Sequence, residues 1–319
     1  MFKRLAGLFR GPQKVELPVL LESREIEKLI PTTESFPVPE WDKVYELIES
    51  EYPEQLDQAW LDFAYIWMTR LSYRLEQGYN VQRSPNFLLL STLTERKARF
   101  TLESLEAMRQ RILKTLGWEQ KDSGYGPHLV LLFHDSTTYL NYVSHFGGDG
   151  NTSVSAGKVL TEGYFQITLI QQELWRNEPT LAYLLTHTLL SLEDKHPWWL
   201  QFGLSQFFSE LYDQGEILPQ VMLLESFSER ASGFWTKTRM EALWDGSLLS
   251  TEDKEVAEDF AQLLTRVILE DVSDVSGFMD EAEASDAGAS AVLRYTGRSL
   301  DSYVAGILGP ADFKPNAPL

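Results

Sequence analysis

The sequence contains no cysteine and only five histidines among its 319 residues. Without cysteine there can be no disulfide, no thiolate nucleophile and no cysteine-ligated zinc. A metal site must therefore take its nitrogen ligands from the histidines, which are His128, His134, His145, His187 and His196.

Basic residues are scarce, with 28 lysines and arginines against 47 aspartates and glutamates and a formal net charge of −19. A nucleic-acid interface needs clustered lysine and arginine to displace counterions from phosphates, so we expect no nucleic-acid partner. The acidic residues concentrate between Glu252 and Asp286, where 12 of them stand against two basic residues. We interpret this segment as a solvated helix face and loop; the alternative is a docking surface for a basic partner.

Long apolar runs are missing as well. No window approaches the roughly 20 apolar residues that a membrane span needs. Residues 1–14, MFKRLAGLFRGPQK, lack the uninterrupted apolar core of a secretory signal because Arg4 and Arg10 break it. We therefore expect a cytoplasmic protein. An alternative is that residues 1–14 form a basic amphipathic helix at a membrane surface, but a solvated or docked terminus is the simpler interpretation.

Hydrophobic residues at 43% and aromatic residues at 12% are typical of a folded globular protein. Periodicity predicts helices at Glu54–Gln77, Thr94–Leu116, Pro179–Leu192, Leu200–Tyr212, along Val256 to Ile268, at Ala287–Tyr295 and at Leu300–Leu308, with a helix or turn at Ser136–Val143. The predicted strands are Asn86–Ser91, His128–Phe133 and Tyr164–Ile170. Helices, then strands, then helices indicate an α+β, helix-rich fold rather than a sheet of βαβ units.

Prolines and glycines mark two irregular segments. Residues 11–40 contain five prolines and are predicted to form an extended, loosely structured arm. The segment Gly147–Gly150 lacks the spacing of a phosphate-binding loop, so we interpret it as a turn.

The stretch TLAYLLTHTLL, Thr180–Leu190, differs from a zinc-binding H-E-x-x-H helix at two positions. In that motif two histidines four residues apart project from one helix face to one metal, and the glutamate accepts a proton from zinc-bound water. A third ligand on the next helix leaves the fourth coordination position to water. Here Tyr183 and Leu184 stand at the first-histidine and glutamate positions, and only His187 matches.

With its neighbours, this helix resembles the peptidase MA-like (gluzincin-type) domains of many bacterial proteins. In that family a strand, here GYFQITLI, precedes the zinc helix, and a segment P-x-W-L-x-E-G-x-A-x-[YF]-[YF], here PWWLQFGLSQFF, opens the second helix. The matching residues include Thr186, His187, Pro197, Trp199, Leu200, Gly203, Phe207 and Phe208. The stretches SPNFLLLSTLTERKARFTLESLEAM, HLVLLFHDSTTYLNYV and YTGRSLDSYVAGIL are similar to flanking elements, so the resemblance covers roughly residues 84–310.

The resemblance implies a gluzincin-like core in which a small sheet packs on the two former active-site helices, with helical N- and C-terminal regions. It divides the chain into an N-terminal arm and helical region at 1–83, which need not be independent, a peptidase-like core at 84–215 and a helical C-terminal region at 216–319.

The residues that differ from the family pattern occupy the positions of zinc ligands and of the general base. The third-ligand position is Phe202, so the former active-site cleft comprises Tyr183, Leu184, His187 and Phe202. Leucine cannot transfer a proton and phenylalanine cannot bind zinc. We therefore expect no catalytic residue, no metal and no cofactor. We expect Tyr183 to donate its hydroxyl to the His187 imidazole and Phe202 to extend the apolar packing.

The leading hypothesis is a catalytically inactive, metallopeptidase-like protein that binds a protein or peptide partner. In active relatives a substrate strand adds to the sheet edge beside the zinc helix. The corresponding strand here is Tyr164–Ile170, so we expect an edge strand with partner-binding residues Tyr164, Phe165, Gln166, Ile167 and Thr168.

Three alternatives remain open. The first is a metal-dependent hydrolase with a site rebuilt from His187, His196, Glu193 and Asp194. The second is a serine hydrolase, but Ser191, Ser205 and Ser209 have no G-x-S-x-G context. The third is a structural or membrane-proximal scaffold that uses residues 1–14 against anionic lipid and the acidic 252–286 segment for assembly.

Overall fold

A five-stranded mixed sheet and eleven α-helices are present in the computed structural model, among the residues that it describes. These are 36–75, 78–119, 124–146, 157–193, 195–213 and 233–309, with the separate positions 21, 26, 28–31, 224, 227 and 231. The chain divides into two compact units. One comprises Met1–Glu106 and Gly124–Gln171, and the other Ala107–Ser123 and Gln172–Leu319.

The sheet belongs to the first unit. Its strands are β1 (Asn80–Arg83), β2 (Phe87–Ser91), β3 (His128–Phe133), β4 (Gly157–Leu160) and β5 (Gln166–Ile170), in the spatial order β1-β2-β3-β5-β4. The three inner strands are parallel to one another, and the two outer strands pair antiparallel to their neighbours. Strands β2 and β3 are buried along almost their whole length, as continuous apolar runs require.

The expectation that βαβ units are absent is wrong. Helix α3 (Glu95–Leu116) connects the parallel strands β2 and β3, and helix α4 (Ser136–Phe146) lies between β3 and the outer hairpin that returns to β5. Parallel neighbours need such a crossover, because a tight turn can join only antiparallel strands. The coarser prediction of a helix-rich α+β protein with a small sheet is confirmed.

Helices α1 (Trp41–Glu51) and α2 (Leu56–Leu75) share one hydrophobic core with the sheet. Three aromatic residues of α2 enter this core: Trp60, Phe63 and Trp67 are all buried. The predicted arm lies mostly outside the described residues. Its described end is packed, because Phe36 is buried with its ring 5.2 Å from that of Tyr142.

The second unit is helical. Its elements are α5 (Leu174–Ser191), α6 (Trp198–Glu210), α7 (Lys237–Trp244), α8 (Lys254–Asp271), α9 (Val275–Glu281), α10 (Ala289–Thr296) and α11 (Leu300–Leu308), with 3₁₀ turns at Ser247–Ser250 and Ala284–Asp286. Helix α5 begins five residues before the predicted start at Pro179, because this proline lies inside the helix. A proline inside a helix removes one backbone hydrogen bond and crowds the carbonyl four residues earlier, so it is more typical of a first helical position, which is why the sequence predicted the start there.

The predicted packing of the sheet on α5 and α6 stays a prediction, since the sheet and the helix pair fall in different units. The predicted division at residues 83 and 215 stays a prediction as well. The two units divide the chain at other points, and residues 36–75 share a core with β2 and β3.

Candidate functional site

One face of α5 is open. Thr180, Tyr183, His187 and Ser191 recur at spacings of three and four residues, and all four are half-buried. The remaining faces of this part of the helix are buried, at Leu181, Ala182, Leu184, Leu185, Thr186, Thr188, Leu189 and Leu190. The helical period thus separates the former active-site residues: Tyr183 and His187 share the open face, and Leu184 belongs to the core.

The open face of α5 meets an aromatic cluster on α6. The ring centroids of Tyr183 and Phe202 are 5.9 Å apart with planes at 73°, an edge-to-face contact. Trp198 lies one turn before Phe202, with ring centroids 6.3 Å apart. The Trp198 indole N–H donates to the backbone carbonyl of Leu243, which fixes the indole against the following helix. Phe202 thus contacts two aromatic rings, one on α5 and one on its own helix.

Helix α8 brings a carboxylate to this cluster. Glu258 is half-buried and close enough to Tyr183 that its charge, together with burial as the larger cause, raises the pKa of the Tyr183 phenol. Burial is the main cause that raises the pKa of Glu258 itself, with further contributions from Asp259 and Glu255, while Lys254 opposes the shift. The Glu258 side chain forms no hydrogen bond or ion pair to another described residue.

His187 lies one turn after Tyr183 on the same face. Burial lowers the pKa of its imidazole, so the ring is neutral at pH 7. The predicted hydrogen bond from the Tyr183 hydroxyl is absent, and no other described residue bonds to the His187 ring. The Tyr183 ring instead contacts the Phe202 ring edge to face, and after burial the charge of Glu258 helps to raise the pKa of the phenol.

The donors of a rebuilt metal site do not converge within the described part of the chain. No three histidine, aspartate or glutamate side chains there lie together as a metal site. Glu193 and His196 approach each other, with 3.7 Å between Oε2 and Nε2, but His187 is not in their group. The His196 ring is buried, stacks on Trp118 and bonds through Nδ1 to the Ala282 carbonyl at 3.0 Å. Asp194 lies outside the described residues.

The serines give no sign of an activated nucleophile. Ser205 is buried and donates its hydroxyl to the Gln201 carbonyl at 2.8 Å, which is an ordinary back-bond within a helix. Ser191 and Ser209 are half-buried on their helices, and neither forms a side-chain bond to a histidine among the described residues.

The prediction that Tyr164–Ile170 forms an edge strand of the sheet is wrong. Strand β5 begins at Gln166 rather than Tyr164 and is flanked on one side by β3 and on the other by β4. The outer position belongs to the four-residue β4, which pairs with Gln166–Leu169.

The candidate partner-binding residues on β5 are committed to internal contacts. Gln166 and Ile167 are buried, and the Gln166 amide oxygen accepts from the Tyr142 hydroxyl. Thr168 donates to the Lys158 carbonyl on β4 at 2.7 Å. Phe165 is half-buried, and Tyr164 donates to the Pro127 carbonyl at 2.7 Å.

Neither a family model, nor a curated protein, nor a solved structure matches this chain. The likeness to peptidase MA-like domains therefore stays a resemblance of motifs. Among the described residues, no helix combines the length and apolar character that crossing a membrane requires. The basic segment 1–14 lies outside the described residues.

Sequence reasoning missed Glu258. It is one of 12 acidic residues between Glu252 and Asp286, and nothing in their order distinguishes it. Several others in that segment have internal partners; for example, Asp271 accepts from the Tyr303 hydroxyl at 2.6 Å, and Glu281 accepts from Arg294 at 2.7 Å. The segment is thus a surface with internal ion pairs, plus one carboxylate at the aromatic cluster.

Neutralising Glu258 is expected to stabilise the protein. Its folded pKa is raised above the ordinary value of about 4.5, so ionisation costs stability as pH rises through that pKa. Glu258→Gln should therefore unfold at a higher temperature than wild type at pH 7–8. The two curves should converge near pH 4, where the carboxyl is protonated in both states. Thermal unfolding followed by circular dichroism across this pH range measures the difference. A lower midpoint for Glu258→Gln at pH 7 would contradict it.

Proposed function

We propose that this chain is a non-catalytic, metallopeptidase-like protein that binds a protein or peptide partner through the open face of α5 and α6. The observation that carries the proposal is the Tyr183–Phe202 ring contact of 5.9 Å, which joins two positions that would hold metal ligands in the resembling family. The contact between the two rings indicates that these positions serve in packing. Neither residue is a histidine, a cysteine or a carboxylate, which are the usual zinc ligands.

A binding role accounts for why the face is open. A buried aromatic pair would suffice for packing, but Tyr183, His187 and Phe202 are each half-buried rather than closed off. Partly exposed aromatic residues are enriched among the residues that dominate binding energy at protein interfaces. The sheet edge is the weaker candidate surface, because β5 is internal and β4 is four residues long.

Partner capture by site-specific photocrosslinking tests this proposal. A photoreactive phenylalanine analogue at position 202 should crosslink a partner in the native cell. The same analogue at position 73, whose tyrosine is 79% exposed in the first unit, should not capture that partner. With the partner purified, Tyr183→Ala with Phe202→Ala should weaken binding by about tenfold or more, as truncation of central aromatic anchors does.

Trp175→Ala is the matched control, because this tryptophan is 47% exposed at the start of the same helix, α5. It should leave the affinity within about twofold. Equal capture at positions 202 and 73, or equal losses in the control and in the double variant, would contradict the proposed surface.

Metal content separates the proposal from the hydrolase alternative. Untagged protein purified without chelator, offered zinc and dialysed, is expected to retain well under one equivalent by elemental mass spectrometry. Near one equivalent, lost in His187→Ala but kept in His145→Ala, would overturn the non-catalytic assignment. His145 is the suitable control because it lies on α4, in the other unit.

A further inference from the structure

We propose that the open face of α5 and α6 binds an arginine side chain of a basic partner segment, with the guanidinium against the Tyr183 and Phe202 rings and beside the Glu258 carboxylate. The inference rests on the proposed function and adds the chemistry of the partner. Its support comes from three independent features: the arrangement of the rings, the state of Glu258 and the charge of the surrounding surface.

The rings offer an aromatic surface that a cation can reach. Tyr183 and Phe202 meet edge to face at 73°, so their planes are not stacked on each other. Both residues are half-buried and neither is fully enclosed. A cation within about 6 Å of a ring centroid is attracted by the negative face of the ring, and arginine engages in this contact more often than lysine.

Glu258 supplies the opposite charge at the same place. Glu258 is half-buried on α8, one turn before Ala261, which packs against Gly203 next to Phe202. After burial, its charge contributes to the raised pKa of the Tyr183 phenol. No described residue forms a hydrogen bond with it. Lys254, one turn earlier on α8, forms no ion pair with it. Lys254 offsets part of the cost of this half-buried charge, because it lowers the pKa of Glu258. A bound guanidinium would relieve more of that cost through a charge-assisted, bidentate contact.

The surrounding charge favours a basic partner. Asp259 and Glu255 lie close enough to Glu258 on α8 for their charges to contribute to its raised pKa, after burial. The whole chain carries a net charge of −19. Such a surface attracts cationic segments and repels acidic ones over distances up to about a Debye length. The neutral His187 imidazole adds no opposing positive charge at pH 7, because burial lowers its pKa.

The test is an NMR titration with a minimal probe. The protein has five histidines, so ¹³C labelling at the imidazole Cε1 gives five signals, and His187→Gln identifies the signal of His187. Nα-acetyl-arginine amide should shift the His187 signal saturably at millimolar concentration. Nα-acetyl-citrulline amide has nearly the same shape without the charge, and it should cause no saturable shift.

Variants test whether the effect depends on Glu258 and Tyr183. Glu258→Gln and Tyr183→Ala should each weaken arginine binding at least fivefold. Glu255→Gln, which removes the same charge from α8 three residues away at an exposed position, should change it less than twofold. Correct folding of Glu258→Gln is checked by its unfolding midpoint, which is expected to equal or exceed that of wild type.

Each outcome separates the two proposals. Equal binding of the citrulline probe, no saturable shift with arginine, or equal losses in Glu255→Gln and Glu258→Gln would overturn the arginine assignment. If partner capture at position 202 still depended on Tyr183 and Phe202, the proposed function would stand without it. Arginine-specific binding that needs Glu258, with no partner captured at position 202, would support the arginine site and contradict the protein-binding function.

Discussion

Gly203→Ala is expected to destabilise the second unit by about 1–3 kcal/mol, the usual cost of overpacking a closed core. A Cβ atom at this position of α6 would lie 2.0 Å from the Thr265 hydroxyl oxygen and 2.8 Å from the Ala261 carbonyl oxygen. Both neighbours are on α8 and both residues are buried, so the methyl group can be accommodated only if the two helices separate. Because α6 carries Phe202 and α8 carries Glu258, this change should also displace the proposed site.

The matched control for Gly203→Ala is the same substitution at Gly306. Gly306 lies within α11, and a Cβ built there meets nothing within 4 Å. Alanine exceeds glycine in helix propensity by about 1 kcal/mol, so Gly306→Ala should be neutral or stabilising. Chemical denaturation of both variants and of wild type measures the two effects on the free energy of unfolding. A neutral Gly203→Ala would show that α6 and α8 are less closely packed than their atoms indicate.

A second substitution tests whether the contact with Thr265 causes the loss. Thr265→Gly removes the side chain that the new methyl group would strike, so the cost of Gly203→Ala should be smaller in that background. If Gly203→Ala destabilises the Thr265→Gly protein as much as wild type, the clash with the Ala261 carbonyl, which the double variant retains, is the cause.

Gly163→Ala is expected to cost the first unit roughly 2–5 kcal/mol, because a conformational penalty and a steric clash combine. Gly163 has φ +70°, and a Cβ there would lie 1.9 Å from the Trp41 indole. The indole has little room to move, since it contacts the rings of Phe63 at 5.8 Å and Trp67 at 5.3 Å. The turn between β4 and β5 should therefore detach from α1.

Gly78→Ala separates the two causes at Gly163. Gly78 also has a positive φ, +78°, but nothing lies within 4 Å of a Cβ built on it. Its replacement should cost only the left-handed backbone penalty, about 1–2 kcal/mol. The difference between the two variants in denaturant unfolding then measures the clash with Trp41. Equal losses would mean that the indole moves aside without cost.

The elements that the sequence predicted best are those with long apolar patterns. The strand His128–Phe133 and the helix Leu300–Leu308 match their predicted bounds, and the helix predicted at Thr94–Leu116 begins one residue later at Glu95. Strands β1 and β4 were missed because four residues are too few to establish an alternation. The order of the strands in the sheet could not be predicted from the sequence either. Which strand occupies an edge depends on long-range pairing and not on the residues of that strand alone.

The candidate site was predicted in part. Spacing along one helix placed Tyr183 and His187 on a common face, and the motif placed Phe202 near them, as the ring contact with Tyr183 confirms. The hydrogen bond predicted between Tyr183 and His187 was wrong, and Glu258 was not anticipated. The presence of Glu258 depends on how α8, a later helix, packs against α6. Helical periodicity describes one helix and carries no information about the face that a distant helix supplies.

The outer strands of the sheet bear on the solubility of the chain. The three inner strands are rich in leucine and isoleucine. A strand of this kind at an edge of the sheet would promote aggregation, because its unpaired backbone groups can pair with strands of other molecules. Instead β1 and β4 flank them, each of four residues and each with a basic side chain, Arg83 or Lys158. Two molecules meeting at these margins could form few hydrogen bonds and would bring like charges together. Among the described residues, the apolar inner strands β2, β3 and β5 are thus flanked by two short strands that are poorly suited to pairing with another molecule.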